Sequence, residues 1–102
     1  MPAYPNSYQE AVAWQEAHRG LVRLTPLPRP PRWVGGADAA YSREDALIFG
    51  AIAVYTYPEL ELVEEAGAAG ACLFPYIPGL LSFREAPILV EAWRRLRRPP
   101  GV

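Results

Sequence analysis

Reactive side chains are scarce in this chain of 102 residues. A single cysteine, Cys72, excludes an internal disulfide and any cysteine-based zinc site. A single histidine, His18, excludes a multi-histidine metal centre. Lysine is absent, and all ten basic residues are arginine. That removes Schiff-base chemistry and the lysine of a Walker-type phosphate loop. Aspartate occurs only at Asp38 and Asp45. Metal chemistry, if present, must use oxygen ligands, which points to magnesium or manganese. No stretch reads as a membrane span, because the longest uncharged run, 66–83, is broken by Gly67, Gly70, Pro75, Pro78 and Gly79. The N-terminus lacks the basic-then-apolar pattern of a signal peptide, so the expected location is cytoplasmic, with no membrane partner.

What remains is ordinary globular material, 51% hydrophobic and 21% charged, of a length that suits one small domain. Twelve prolines exceed twice the average of roughly 5%, so some segments must be extended or turning. Charge is uneven. Residues 1–32 are net basic, 33–83 carry seven acidic residues against one arginine, and 84–102 carry five arginines against two glutamates. An acidic middle between basic ends suits a metal site flanked by phosphate contacts, and equally suits solvated faces.

Residues 7–24 read as a helix. Ser7 and Glu10 form a capping box, and Tyr8, Ala11, Trp14, His18 and Leu21 recur at helical spacing, which predicts a packed His18. Residues 25–31 hold four prolines and form an extended connector. Three strands follow, over 32–41, 46–57 and 59–66, as an antiparallel meander within 32–66. The apolar second strand is central, and Leu60 and Leu62 share one face of the third. Residues 67–70 read as a loop by their glycines, and 73–82 as a second loop. A last helix covers 85–98 and packs on the sheet. Ser82 with Glu85 reads as a capping box, whereas Pro87 prefers the first helical position.

Two carboxylates attract notice. Asp38 lies inside a predicted strand, where aspartate is disfavoured and costly to bury unpaired. It is either bonded to backbone or projects as a metal ligand. Glu85 lies near a helix start, where a carboxylate also serves as a cap. Paired across the strand–helix boundary, the two are suited to holding a divalent cation that activates water against a phosphodiester.

The strings Val34-Gly35-Gly36-Ala37-Asp38-Ala39-Ala40-Tyr41 and Phe74-Pro75-Tyr76-Ile77-Pro78-Gly79-Leu80-Leu81-Ser82-Phe83-Arg84-Glu85 resemble the endonuclease V family. The Leu24-Thr25-Pro26 junction and the Tyr57-Pro58 turn fit as well. The resemblance covers nearly the whole chain but only the N-terminal half of a usual member. It implies an α/β (α+β) ribonuclease H-like fold, truncated to a helix, a three-stranded meander and a packing helix. It also implies hydrolysis, with Mg²⁺ or Mn²⁺, of the second phosphodiester bond 3′ to deoxyinosine, or to inosine in RNA. Asp38 and Glu85 match the family's metal-binding, catalytic carboxylates. Pro75, Tyr76, Ile77 and Pro78 match its strand-separating wedge, with Tyr76 contacting DNA. Gly79 and Leu80 match the lining of the pocket for the deaminated base.

The family's third carboxylate, on a fourth strand, has no counterpart in these residues. The chain is therefore expected to be weakly active or inactive alone. The alternative is a non-catalytic remnant that binds nucleic acid or serves as an interaction module. Without the fourth strand, the 32–41 strand is expected to expose an edge that favours self-association.

Overall fold

The computed structural model describes residues 5–102. Helix α1 spans Tyr8–His18 and continues into one 3-10 turn, Arg19–Leu21. Strands β1 (Trp33–Tyr41), β2 (Leu47–Thr56) and β3 (Leu62–Ala71) form one antiparallel sheet in the order β1-β2-β3. Helix α2 spans Leu81–Arg94 and packs across β2 and β3. The expected meander and packing helix are therefore present, as a truncated α/β arrangement.

β2 is the middle strand, and its alternation sets the layering. Ile48, Ile52 and Val54 are buried under α2 with Ala68, Ile88 and Ala92. Burying aliphatic side chains of this size contributes about 1.5–3 kcal/mol each. Leu47 and Phe49 alternate to the other face, which remains exposed. Among the described residues, the sheet is thus covered on one side only.

Several boundaries differ from the sequence reading, each for a tertiary reason. Residues 67–70 are strand, because β2 supplies a continuous ladder that pairs Gly67 with Ala51 and Gly70 with Ile48. Leu60 belongs to the turn before β3, at φ 60°, so it shares no strand face with Leu62. Helix α2 begins about a turn early, with Leu80 as its N-cap and Pro87 in its interior. Ser82 and Glu85 are therefore interior residues, and their expected capping box does not mark the start. Burial of Leu80 and Phe83 against α1 outweighs the proline signal.

The same helix ends at Arg94 instead of 98. Glu64 of β3 explains this, because its carboxylate accepts the backbone N–H groups of Arg97 (2.9 Å) and Arg98 (2.8 Å). Those donors hold the Glu64 carboxyl below its ordinary range, Arg97 most of all. The diverted chain crosses to β1. There Gly101 N–H donates to the Trp33 carbonyl at 3.1 Å, and Gly35 N–H donates to the Val102 carbonyl at 2.8 Å. A Cβ on Gly35 would lie 2.7 Å from Pro100 Cγ, so this approach requires glycine. The expected open edge of β1 is accordingly shorter than the whole strand. Among the described residues it is confined to 36–41.

Helix α1 follows its start signal only in part. Ser7 Oγ accepts the Glu10 N–H at 3.2 Å, but Glu10 reaches back to the N–H of Asn6, at 3.0 Å, and not to that of Ser7. Its expected apolar stripe is mostly exposed; only Ala11 is fully buried. His18 is exposed, not packed in a core. It stacks on Trp14 at 3.9 Å, with Nδ1 2.8 Å from the Trp14 carbonyl.

Candidate active site

Asp38 and Glu85 accept hydrogen bonds from different groups, the Ala39 N–H and the Tyr41 hydroxyl. Asp38 pairs with Ala51, whereas Ala39 and Tyr41 pair with Gly50 and Ile48. Strand alternation therefore directs Asp38 to the bare face, opposite α2. It is exposed, and its Oδ1 accepts the Ala39 N–H at 2.9 Å. That gives Asp38 the backbone partner that strand aspartates need.

Glu85 sits in the second turn of α2, half-buried. Its Oε2 accepts the Tyr41 hydroxyl at 2.7 Å, a charge-assisted bond. Tyr41 is the last residue of β1, on the covered face. Burial chiefly, then this bond and the Glu85 charge, push its hydroxyl up to about 12, although Arg84 opposes the rise. Tyr41 is thus a neutral donor throughout the physiological range.

Arg84 organises the surroundings. Only 10% of its side chain is exposed. Its guanidinium lies 4.4 Å from the Tyr41 ring centroid and 6.0 Å from that of Tyr76. Nε donates to Cys72 Sγ at 3.2 Å, and Nη2 lies 3.5 Å from an Asp45 oxygen. The Cys72 contact, foremost, raises the guanidinium above its usual range. Arg84 therefore joins the end of β1, the end of β3, the β1–β2 turn and the 73–80 loop around Glu85.

The loop is built on a tight turn. Leu80 N–H donates to the Ile77 carbonyl at 2.9 Å, and Gly79 has φ +85°. Proline then glycine across that bond is the signature of a type II turn, whose third residue needs positive φ. Tyr76 stands 63% exposed, with Pro75 and Pro78 also on the surface. Ile77 packs inward. Leu80 is only 3% exposed and joins Ala11, Phe74 and Phe83 in a second core. Its side chain therefore packs beneath the loop. Gln15 of α1 donates Nε2–H to the Gly79 carbonyl at 3.0 Å.

Tyr41, Arg84 and Gln15 escaped the sequence reading. Tyr41 had a usable signal, since it shares the inward parity of Ala39 along β1. Arg84 adjoins Glu85, but nothing local marks a buried arginine. Among the described residues, no group of three or more His, Cys, Asp or Glu side chains is placed to hold a metal ion. None of their helices is long and apolar enough to cross a membrane.

A sequence profile of the Endonuclease V family matches residues 16–102. Endonuclease V from Rippkaea orientalis is 40% identical over 98 residues, covering 96% of this chain and 43% of that protein. The crystal structure of Endonuclease V from Streptomyces avermitilis superposes with a TM-score of 0.87 at 40% identity, over 99% of this chain and 45% of that one. A Ciona intestinalis Endonuclease V, solved in complex with a 23mer DNA containing an inosine followed by a ribo-adenosine, gives a TM-score of 0.73 at 25% identity. It is matched over 84% of this chain and 37% of its own. The chain thus spans less than half the length of these relatives.

Proposed function

Because the chain belongs to the endonuclease V family, a family of DNA repair nucleases, we propose that it carries the lesion-reading and part of the catalytic apparatus of a deoxyinosine-directed endonuclease. The bond attacked is the second phosphodiester 3′ to the deaminated base, in DNA or, with inosine, in RNA. One observation supports this above the others: Arg84 contacts both Tyr76 on the exposed loop and Tyr41, the partner of Glu85. A base-contacting aromatic and a catalytic carboxylate are thereby tied to one rigid element. Tyr76, held between Pro75 and Pro78, offers a flat face to replace stacking lost when a base turns out, a loss of a few kcal/mol.

The family reading calls for Mg²⁺ or Mn²⁺ between Asp38 and Glu85. The oxygen donors suit such an ion. Asp38 Oδ1 accepts the Ala39 N–H and Glu85 Oε2 accepts the Tyr41 hydroxyl, and among the described residues no group of three or more His, Cys, Asp or Glu side chains is placed to hold an ion. No hydrolytic step is therefore assigned to an ion held by these residues alone. What the chain itself supplies is an oriented Glu85 carboxylate, a neutral phenol beside it, and a preformed loop.

Because no group of three or more His, Cys, Asp or Glu side chains among the described residues is placed to hold an ion, a second reading is a nucleic-acid-binding or interaction module without cleavage. Residues 36–41 of β1 would then offer an edge for self-association, in a cytoplasmic protein. Incubation with an inosine-containing duplex and Mg²⁺ or Mn²⁺ separates the readings. Weak or absent nicking is expected for this chain alone. Robust nicking that is lost in Asp38→Ala would overturn that expectation.

A further inference from the structure

Helix α1 has an unusual set of tertiary partners. Its one fully buried residue, Ala11, packs with Phe74, Leu80 and Phe83, and Val12 and Ile77 border the same cluster. No sheet residue belongs to that cluster. Trp14 meets Phe83 edge-on at 5.6 Å. The helix therefore packs on the loop and the start of α2.

Within that contact, Gln15 makes the hydrogen bond that reaches the turn. Its Nε2–H donates to the carbonyl of Gly79, whose positive φ defines the turn. The Gly79 carbonyl shares its peptide plane with the Leu80 N–H, which donates to the Ile77 carbonyl and closes the turn, but that single bond leaves the turn able to open. A side-chain donor fixed on a helix removes that freedom. Once the carbonyl is held, the Ile77–Leu80 turn is held, and Tyr76 projects at a set angle from it.

We infer that Gln15 is a positioning residue for lesion recognition, acting through the Gly79 carbonyl on the presentation of Tyr76. This rests on the reading of the 75–80 segment as the part that meets the deaminated base. Gln15 itself touches no substrate. Its contribution is to reduce the ordering that the loop must undergo when it enters a duplex, which is how preorganisation raises affinity.

The test uses the whole chain and two measurements. Gln15→Met matches the length of the side chain without its donor. Gln15→Lys keeps a donor at similar reach. In the free chain, exchange of the Leu80 amide hydrogen is expected to accelerate about fivefold in Gln15→Met, the size of one lost hydrogen bond. It should return toward the parent rate in Gln15→Lys, with the Ile52 and Val54 amides unchanged in both. Fluorescence anisotropy then compares a duplex containing deoxyinosine with the same duplex containing guanine. Gln15→Met is expected to lose severalfold of the preference for deoxyinosine at unchanged melting temperature. An unaltered Leu80 exchange rate overturns the inference. So does an undiminished preference in Gln15→Met when the parent chain shows one. A parent chain with no preference defeats the functional reading itself, and the inference falls with it.

Discussion

Tyr41, at the end of β1, donates its hydroxyl hydrogen to Glu85, in the second turn of α2, across 2.7 Å. This bond fastens the sheet to the helix at the point where the candidate catalytic carboxylate stands.

The Tyr41 hydroxyl yields a prediction in alkali. Its folded value is raised from 10.0 to about 12. A raised value means that its contribution to stability is complete below about pH 10 and is lost as pH climbs to about 12. Ultraviolet titration should show one tyrosine ionising late. Tyr41→Phe should abolish that late phase, and Glu85→Gln should shift it earlier. Tyr41→Phe should also cost about 1.5–3 kcal/mol in urea unfolding, the usual worth of a bond to a charged acceptor.

Glu64 makes the opposite prediction in acid. Its carboxyl is held below 4.5 by the N–H groups of Arg97 and Arg98. Its stabilising effect is therefore present above pH 4.5 and fades as pH falls through the lower folded value. Glu64→Gln should release the C-terminal crossing. Faster amide exchange at Gly35 and Gly101, with Ile52 unchanged, would confirm it.

Gly35→Ala probes the same crossing from the other side. Its new Cβ would collide with Pro100 at 2.7 Å. The two backbone bonds to residues 101 and 102 should be lost, with little change at Asp38. Two-dimensional NMR would register shifts at Trp33, Gly101 and Val102 and none in α1.

Core substitutions should separate by cluster. Ile52→Ala removes buried aliphatic bulk under α2 and should cost about 2–5 kcal/mol, enough to unfold much of a small domain. Ala11→Leu overpacks the loop core and should cost about 1–3 kcal/mol. The first should lower the melting temperature of the whole chain. The second should loosen Leu80 and Tyr76 in advance of the sheet.

Much of this molecule was legible in its residues. The long apolar run of 46–57 announced the central strand, although its apolar residues on the second face, such as Leu47 and Phe49, are exposed. Asp38, Glu85 and Tyr76 were marked by their motifs. Where the reading failed, distant contacts decided. Gly67 and Gly70 look like breakers until β2 pairs with them. Pro87 looks like a first helical residue until Leu80 and Phe83 bury against α1. Nothing local in Arg97 or Arg98 reveals that Glu64 will take their N–H groups. His18 has helical parity with Trp14, yet its face meets solvent, since α1 covers a loop and not the sheet. Nor do the residues reveal that the Tyr41 hydroxyl will go to Glu85, since that bond forms only once β1 and α2 are packed together.

The two cores share no buried residue: Ile48, Ile52, Val54, Ala68, Ile88 and Ala92 form one, and Ala11, Phe74, Leu80 and Phe83 the other. Such a division makes two cooperative units with different opening free energies. The smaller unit carries Tyr76 and can detach from α1 while the sheet keeps its register. Local opening around Ala11 and Leu80 would therefore cost less than unfolding the sheet, and the strand that bears Asp38 would keep its pairing through it.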